Sequence, residues 1–266
     1  MEQQYCFYWI IMTEKETPKK FGLLGKNIDY SFSRKYFSDK FSREHLTQHT
    51  YVNFDLPSLE NFGEILQNEK HLCGLNVTIP YKIEVIPFLD EVSDEVKAIG
   101  AVNTILWNKE GKTVGHNTDH TGFRKALEEE LTTLPKKALI LGTGGASSAI
   151  RFALENLNCA VQFVSRTPEK NQLTYEALTQ EILDSIDLIV NTTPLGTFPN
   201  TEKAPKLPYH LLNSRHFLFD LIYNPSETLF MKKGKAQGAK VSNGYQMLVY
   251  QAEKSWELWN QYPNCG

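Results

Sequence analysis

The feature that most constrains the fold is a glycine-rich turn between a short apolar run and a helical pattern. Residues 138–141 are apolar and end at Gly142, which is typical of a buried strand that closes on a turn. Over residues 146–157 the apolar positions recur at helical spacing. The run 142–147 therefore lies at a strand-to-helix turn, where free N–H groups and the helix dipole can bind phosphates.

Small residues in this turn match the G-x-G-x-x-G pattern of dinucleotide-binding proteins. Gly142 permits the tight turn, and Gly144, which has no Cβ, lets a pyrophosphate approach the backbone. Ser147 replaces the third glycine and is small enough for close helix packing. Taken alone, the pattern also fits a glycine-rich turn that holds no ligand.

The strand that follows favours a dinucleotide and predicts which one. Residues 160–164 are a second apolar strand that ends in Ser165, Arg166 and Thr167, about where the ribose-reading residue falls, ~20 residues after the glycines. Because no Asp or Glu stands there to repel a 2′-phosphate, and Arg166 attracts one, we expect NADP rather than NAD.

Composition excludes several functional classes. The chain has 266 residues, 41% hydrophobic and 22% charged, which is typical of a soluble globular protein with one large or two medium domains. A formal net charge of −3 gives no support for nucleic-acid binding. The apolar run 5–11 is shorter than the ~20 residues of a membrane span, and no basic residue precedes it.

One hypothesis is that residues 1–11 are not native and that Met12 is the true start.

The four cysteines show no paired spacing, so we expect reduced thiols of a cytoplasmic protein rather than disulfides or a zinc site. They are Cys6, Cys73, Cys159 and Cys265.

Strand and helix patterns alternate twice along the chain, which predicts an α/β fold with two units. The first half gives a small, mostly parallel sheet with a hairpin turn at residues 109–111. The second half restarts at Lys137, and residues 165–187 are few for a full crossover helix. Residues 194–208 are proline-rich and predict a long loop over a site, and residues 244–259 predict a closing helix.

Four polar groups are candidates for chemistry, each with a structural alternative. Lys82 follows a strand and Pro80 and lies in the first turn of an expected helix. The positive end of the helix dipole disfavours a cation there. Lys82 is therefore either a solvent-facing residue or a catalytic one. Asp119 fits a helix N-cap as well as an acid–base role. Ser31 and Ser33 fit N-caps or a site for a substrate carboxylate.

A metal site is disfavoured. His116 and His120 are four residues apart, but the residues between them read as a turn, so the two rings would not share one helix face.

Together these stretches resemble the shikimate dehydrogenase family from Phe21 to Trp259. The matching pieces stand in the same order along the chain: Gly25 with 31–33, 76–82, 100–104, 117–119, 142–146, 165–167, 191–196, 220–225, and 243–252. The resemblance implies reversible, NADPH-dependent reduction of 3-dehydroshikimate to shikimate in aromatic amino-acid (chorismate) biosynthesis, with no metal.

The resemblance also implies roles for single residues. Lys82 and Asp119 flank the reacting carbonyl, where a cation would stabilise the charge that develops on oxygen. The residues implied to bind substrate are Ser31, Ser33, Thr78, Asn103, Asp119, Tyr223 and Gln251. Those implied to bind the cofactor are Gly142, Thr143, Gly144, Gly145, Ala146, Ser165, Arg166, Thr167, Lys170, Leu221, Gly244 and Asp94.

Four positions depart from the family pattern, although none removes a predicted catalytic group. Tyr30 stands where the family usually has His, Thr197 where it has Met, and Ser165 where it has Asn. His120 replaces a usual Gly, and a left-handed backbone would tolerate His poorly there.

We therefore predict a substrate domain at residues 21–119, a Rossmann NADP-binding domain at 120–242, and a C-terminal helix at 243–266 that packs back on the first domain, after an extension at 1–20. We expect a cytoplasmic monomer or homodimer with a small-molecule substrate, and no membrane or nucleic-acid partner. The alternatives are a quinate or shikimate dehydrogenase that uses NAD, a non-catalytic dinucleotide-binding regulator, and a folate-linked dehydrogenase, which the paired serines disfavour.

Overall fold

Two separate β-sheets organise the chain, which completes the first sheet before it begins the second. The computed structural model describes residues 17–29, 31–262 and 265, so the predictions for residues 1–11 and Tyr30 lie outside the described residues. The first sheet contains β1 Lys19–Gly25, β2 His49–Asp55, β3 Leu72–Val77, β4 Glu91–Val92, β5 Thr104–Trp107 and β6 Thr113–His116. Its helices are α1 Phe32–Arg43, α2 Phe62–Asn68 and α3 Asp94–Ile99.

The first sheet has the strand order β2-β1-β3-β5-β6-β4. Three of its pairings are parallel (β1 with β2, β1 with β3, β4 with β6), whereas β5 pairs antiparallel with both β3 and β6. The turn that joins β5 to β6 contains residues 109–111, as predicted.

The second sheet is entirely parallel. Helix α4 Asp119–Glu130 leads into β7 Lys137–Leu141, α5 Gly145–Glu155, β8 Ala160–Val164, α6 Gln180–Asp184, β9 Leu188–Asn191, β10 Phe217–Asp220, α7 Leu229–Ala236 and β11 Lys240–Ser242. The strand order is β11-β10-β9-β7-β8, so β7 lies where the order reverses. In open α/β sheets of this kind ligands bind beyond the carboxyl end of the strand at that point. The stretch between β8 and β9 holds only the five-residue α6, in agreement with the trimmed crossover that the sequence predicts.

Burial explains why the strands of the second sheet are continuous apolar runs. Ala138, Leu139, Ile140 and Leu141 are fully buried, and they belong alternately to the hydrophobic clusters on the two faces of the sheet. A parallel sheet covered on both faces requires this pattern. The fold class predicted from the sequence is confirmed.

The last helix, α8 Tyr245–Gln261, returns the chain to the first sheet. It packs along α4 and reaches β3 and β5. The Trp259 indole donates a hydrogen bond to the Ile105 carbonyl oxygen at 3.0 Å. Gly74 makes this approach possible, because a Cβ there would lie 2.3 Å from Trp259 Nε1. The domain boundaries given above stay predictions.

One local prediction around the site is wrong. Pro80 does not begin an α-helix: residues 79–85 form consecutive turns, followed by a 3-10 helix at Ile86–Phe88, so Lys82 meets no helix dipole. The helix predicted from Asp119 is confirmed, and His120 lies inside it without a left-handed backbone, so His replaces the usual Gly there without strain.

The cysteine prediction is also wrong in part. Cys73 of β3 and Cys265 form a disulfide, with their Cα atoms 4.0 Å apart, while Cys159 keeps a free, buried thiol. The two bonded residues are 192 positions apart in the sequence and meet only because α8 brings the C-terminus back to β3. No spacing in the sequence indicates such a pair.

Candidate active site

A cleft of about 1950 Å³ opens between the carboxyl ends of the two sheets. Most of the predicted site residues line it, although they come from ten separate places in the chain. These are Ser31, Thr78, Lys82, Asp119, Gly142, Thr143, Gly144, Gly145, Ala146, Ser165, Arg166, Thr167, Leu221, Tyr223, Gly244 and Gln251.

Lys82 and Asp119 form a direct ion pair on the wall that belongs to the first sheet. Lys82 Nζ donates to Asp119 Oδ2 at 2.5 Å, and the two side chains are only 19% and 10% exposed. The other carboxylate oxygen, Oδ1, accepts a hydrogen bond from Asn103 Nδ2 at 2.9 Å. Both oxygens therefore have fixed donors, and the pair presents a cation and an anion side by side at the cleft.

The N-cap of α4 is Thr118, and the side chain of the preceding Asn117, rather than that of Asp119, binds the first N–H groups of the helix. The Asn117 side-chain oxygen accepts from the backbone N–H groups of Asp119 at 3.1 Å and His120 at 3.4 Å. Its amide nitrogen donates to the Ala101 carbonyl oxygen at 2.9 Å, which ties the start of the helix to the neighbouring loop. The N-cap interpretation of Asp119 is thus wrong, and its carboxylate is free to pair with Lys82.

Asn103 holds the surroundings of Asp119 in place. Its side-chain oxygen accepts from the Thr118 backbone N–H at 2.7 Å. Its amide nitrogen lies 3.3 Å from Gln251 Oε1, in addition to the bond with Asp119. Asn103 and Gln251 are 2% and 7% exposed, so these bonds form away from bulk water, where electrostatic interactions are stronger.

Ser31 and Ser33 lie at the N-terminus of α1, as the sequence predicts. Ser31 is the N-cap, and its hydroxyl accepts from the Ser33 backbone N–H at 3.2 Å. The preceding loop is fixed by Asp55, whose two oxygens accept from the Asn27 N–H at 2.8 Å and the Ile28 N–H at 3.0 Å. A twelve-residue helix with free N–H groups at this end favours an anion there.

The opposite wall of the cleft is made mainly of backbone. Gly142 has φ +106°, a left-handed conformation that favours glycine. Gly144 precedes α5, and a Cβ on it would have no described atom within 4 Å. Ser147 is 1% exposed and donates its hydroxyl to the Gly144 carbonyl oxygen at 2.5 Å. This open glycine turn before an eleven-residue helix fits the diphosphate of a dinucleotide.

The end of β8 forms the ribose side of this wall. The Ser165 hydroxyl accepts from the Thr167 backbone N–H at 3.2 Å, which closes the loop. Arg166 is exposed and lines the cleft. Burial raises the pKa of the nearby Tyr175 hydroxyl, and the Arg166 charge opposes that rise. A guanidinium in this position can pair with a 2′-phosphate.

Four predicted residues do not line the cleft. Ser33 and Asn103 are buried directly behind it. Lys170 lies further along the exposed loop after β8. Asp94 projects from the surface at the start of α3, where its carboxylate accepts from Lys97 Nζ at 2.7 Å. The structure does not bring Asp94 and Lys170 to the cleft wall, so their predicted cofactor contacts lack support from its geometry.

Asp220 supports the loop that carries Leu221 and Tyr223, a role that the sequence did not indicate. Its buried carboxylate accepts from the Thr228 hydroxyl at 2.5 Å, the Asn191 amide at 2.9 Å and the Ile222 N–H at 3.1 Å. Burial raises the pKa of Asp220 to about 6, although these three hydrogen bonds oppose the rise.

Gly244 lets the same loop approach α8. A Cβ on Gly244 would lie 2.1 Å from the Leu221 carbonyl oxygen, so no larger residue fits without a shift of the loop. Leu221 and Gly244 are the residues expected to border the nicotinamide.

The two histidines considered for a metal have other partners. His116 Nδ1 lies 2.8 Å from Glu95 Oε1. Burial acts to raise the pKa of Glu95, but hydrogen bonding with His116 outweighs it and lowers the pKa to about 2. The His120 ring packs edge-on against Phe152 of α5, with ring centres 5.0 Å apart. In the described part of the chain no three His, Cys, Asp or Glu side chains cluster as metal ligands would. Of the helices described, none has the length and apolar character that a membrane crossing requires.

Comparison with known proteins agrees with this geometry. The family model for the shikimate dehydrogenase substrate-binding domain matches residues 23–105. A shikimate dehydrogenase (NADP(+)) from Methanococcus maripaludis is 38% identical over 258 residues, which cover 91% of each chain. The chain belongs to the shikimate dehydrogenase family. The family and the Rossmann-type fold predicted from the sequence are therefore confirmed.

Solved structures of similar fold cover more than nine-tenths of this chain. The enzyme from Thermus thermophilus, crystallised with NADP(H) and shikimate, is 32% identical with a TM-score of 0.80, over 91% of this chain and 94% of that one. A quinate dehydrogenase from Corynebacterium glutamicum in complex with NAD is 25% identical with a TM-score of 0.81, over 92% and 94% of the two chains. The fold alone therefore does not separate shikimate from quinate, or NADP from NAD.

Proposed function

We propose that this protein catalyses the reversible, NADPH-dependent reduction of 3-dehydroshikimate to shikimate in the shikimate pathway of aromatic amino-acid biosynthesis. The observation that carries the proposal is the Lys82–Asp119 pair, which faces the open glycine turn at Gly144 across one cleft. A dinucleotide-binding regulator would need no such pair. A cytoplasmic location and a monomeric or homodimeric state stay predictions for this chain.

The residues of the first wall provide acid–base chemistry and orientation. When bound, NADPH would supply the hydride for the carbonyl carbon. Lys82 Nζ stabilises the negative charge that develops on the carbonyl oxygen and donates the proton that completes the alcohol. Asp119 keeps the ammonium group aimed at that oxygen and accepts a hydrogen bond from a neighbouring hydroxyl. In the oxidative direction Lys82 takes the proton back.

Binding groups for the rest of the substrate surround this pair. We infer that Ser31 and Ser33, at the N-terminus of α1, hold the substrate carboxylate, since free N–H groups and hydroxyls favour an anion there. Thr78, Tyr223 and Gln251 line the cleft and contact the ring hydroxyls, whereas Asn103, which is buried behind it, positions Asp119 and Gln251.

The second wall would hold the cofactor, mainly through its backbone. The turn 142–146 receives the diphosphate, the loop 165–167 receives the adenosine ribose with its 2′-phosphate on Arg166, and Leu221 with Gly244 borders the nicotinamide. Asp94 and Lys170 complete the predicted set, with no support from the shape of the cleft.

The experiment is a substrate and cofactor matrix with the purified full chain. Shikimate and quinate are each oxidised with NADP and with NAD, and reduced nicotinamide is followed by its absorbance. We expect rapid turnover of shikimate with NADP. Turnover of quinate with NAD would support the quinate dehydrogenase alternative, and NADP binding by fluorescence titration without any turnover would support a regulator.

Arg166→Gln tests the cofactor assignment in the same matrix. Loss of a charge-assisted hydrogen bond is expected to raise the KM for NADP about 10- to 100-fold and to leave the KM for NAD unchanged. Arg215→Gln, which removes an exposed arginine paired with Asp184, is the matched control. An equal rise for both cofactors would contradict a role for Arg166 in reading the 2′-phosphate.

A further inference from the structure

Four aromatic side chains line the cleft beside the expected carboxylate site and form what we call the aromatic cluster. They come from three segments of the chain: Phe32 and Tyr36 from α1, Tyr223 from the loop after β10, and Tyr245 from the start of α8. Phe32 stands between Ser31 and Ser33 in the sequence, at the N-terminus of α1. The proposed reaction assigns Phe32 no role of its own.

Phe32 contacts the other three rings of the aromatic cluster. Its ring stacks on Tyr36, with centres 5.2 Å apart and an angle of 22° between the ring planes. It meets Tyr223 edge-on at 6.0 Å and Tyr245 edge-on at 5.8 Å. Aromatic pairs in stacked and edge-on geometries attract each other beyond the effect of the area that they bury. Phe32 therefore joins α1 to the loop after β10 and to the start of α8.

Tyr36 provides a fixed base for the Phe32 ring. The Tyr36 hydroxyl donates a hydrogen bond to the Glu253 carboxylate of α8. Glu253 also accepts from Lys40 Nζ at 2.8 Å, and Lys40 is only 5% exposed. Because α1 and α8 together hold the Tyr36 ring, it stays with the wall of the first sheet.

Tyr223 belongs to the opposite wall of the cleft. Its loop follows β10 of the second sheet and is supported by Asp220, which accepts from the Ile222 N–H at 3.1 Å. In the proposed reaction Tyr223 contacts a ring hydroxyl of a substrate whose carboxylate lies at the N-terminus of α1. The distance between these two binding groups depends on how the two walls are held relative to each other. The edge-on contact between Phe32 and Tyr223 joins the two walls at this point.

We infer that Phe32 is a positioning residue, which holds Tyr223 at the distance from the carboxylate site that the ring of shikimate requires. This inference rests on the proposed function. The Phe32 side chain has no polar atom, so it can neither bind a hydroxyl nor transfer a proton, and its effect passes through the Tyr223 hydroxyl. A contact to a ring hydroxyl serves the bound substrate and the transition state alike, so it lowers KM and leaves kcat unchanged.

The test is Phe32→Leu, which keeps an apolar side chain and removes the ring. The KM for shikimate with NADP is expected to rise about 3- to 10-fold, because Tyr223 loses its edge-on partner. The kcat should stay within about twofold of the unchanged protein, and the Kd for NADP should not change. Phe32→Tyr keeps the ring and is expected to retain the KM of the unchanged protein.

A double-mutant cycle with Tyr223→Phe shows whether Phe32 acts through Tyr223. Tyr223→Phe removes the hydroxyl and keeps the ring that meets Phe32. If Phe32 serves to place that hydroxyl, Phe32→Leu raises the KM by less than about twofold in the Tyr223→Phe background. A Phe32 ring that contacted the substrate itself would give the same rise in both backgrounds.

Phe88→Leu is the matched control for the loss of an edge-on ring contact. Phe88 is 41% exposed and meets Phe62 edge-on at 5.9 Å, and among the described residues it is not one that lines the cleft. The KM for shikimate should not change in this variant. Thermal unfolding of every variant checks the fold, and Phe32→Met replaces Phe32→Leu if the latter does not fold.

The outcomes separate the two proposals. An unchanged KM in Phe32→Leu, an equal rise in both Tyr223 backgrounds, or a raised KM in Phe32→Tyr would overturn the role of Phe32 while leaving the reaction intact. If the protein of unchanged sequence does not turn over shikimate, the proposed function is overturned before any variant is compared, and the role of Phe32 with it.

Discussion

The two walls of the cleft are built by different means. The wall of the first sheet is made of side chains: Lys82, Asp119 and Asn103 are held by hydrogen bonds that continue into a buried polar network. The wall of the second sheet is made of backbone: Gly142 and Gly144 shape a turn before α5, with open space in front of it.

This difference follows from what each wall has to do. A diphosphate is bound by backbone N–H groups, so its site requires open space in front of the backbone rather than particular side chains. Acid–base chemistry needs particular functional groups at particular distances, so each one requires supporting partners. Buried charge is handled differently as well: Asp119 has a cationic partner, whereas the hydrogen-bond donors that the structure describes for Asp220 are neutral.

The largest effect is expected on the side-chain wall. Lys82→Met removes the proton donor and should lower kcat with shikimate about 10²- to 10⁴-fold, while the Kd for NADP measured by fluorescence titration stays unchanged. Lys112→Met is the control, because Lys112 is an exposed lysine paired with Glu91 at 2.9 Å. Full activity of Lys82→Met would contradict the claim that the side-chain wall supplies the proton.

The next prediction concerns Asp220, a buried carboxylate whose described hydrogen-bond donors are all neutral. The pKa of Asp220 is raised from 3.8 to about 6 by burial, so between these values the native state binds more protons than the unfolded state. The free energy of unfolding should therefore rise as the pH falls through this window, by about 3 kcal/mol in total.

Denaturant titrations across this pH range provide the measurement for Asp220. Asp220→Asn should lose this contribution, while Asp184→Asn, which removes an exposed carboxylate, should keep the wild-type pH dependence. A wild-type slope in Asp220→Asn would show that the buried carboxylate does not titrate as described.

A smaller effect is expected from a single Cβ on the backbone wall. Gly144→Ala places a methyl group where no described atom lies within 4 Å, at φ −81°. It should raise the Kd for NADP about tenfold, equivalent to about 1.4 kcal/mol, because the methyl blocks the approach of the diphosphate. Thermal unfolding should be nearly unchanged.

Gly142→Ala is the contrasting control. Its backbone has φ +106°, and its Cβ would lie 2.9 Å from Thr192 Oγ1. This variant should lose about 1–3 kcal/mol of stability in the same unfolding measurement. If Gly144→Ala left NADP binding intact, the backbone wall would not be the phosphate site.

The same comparison explains which parts of the site the sequence predicts. The phosphate turn is local, because residues 138–157 contain the strand, the glycines and the helix that together make it. Arg166 is predicted for a similar reason, because it ends the strand that follows the glycine turn, at the spacing typical of dinucleotide-binding folds. By contrast, the helix expected at Pro80 and the N-cap interpretation of Asp119 are wrong, although α4 does begin at Asp119, because no local pattern marks the partners that decide these two positions. The Asn117 side chain binds the first N–H groups of α4, and the chain after Pro80 forms turns.

The sequence by itself determined the α/β fold, the parallel second sheet, the phosphate turn and the family, since these depend on periodicity and short motifs. Tertiary structure alone decided that Tyr51 and Ser255, which carry no motif, meet at Asn76 in a buried hydrogen-bond network. It also decided that Asp220 supports the loop that carries Leu221 and Tyr223 and that Cys73 meets Cys265. The physical reason is that burial and hydrogen bonding between distant segments depend on which elements pack together, and no local pattern records that packing.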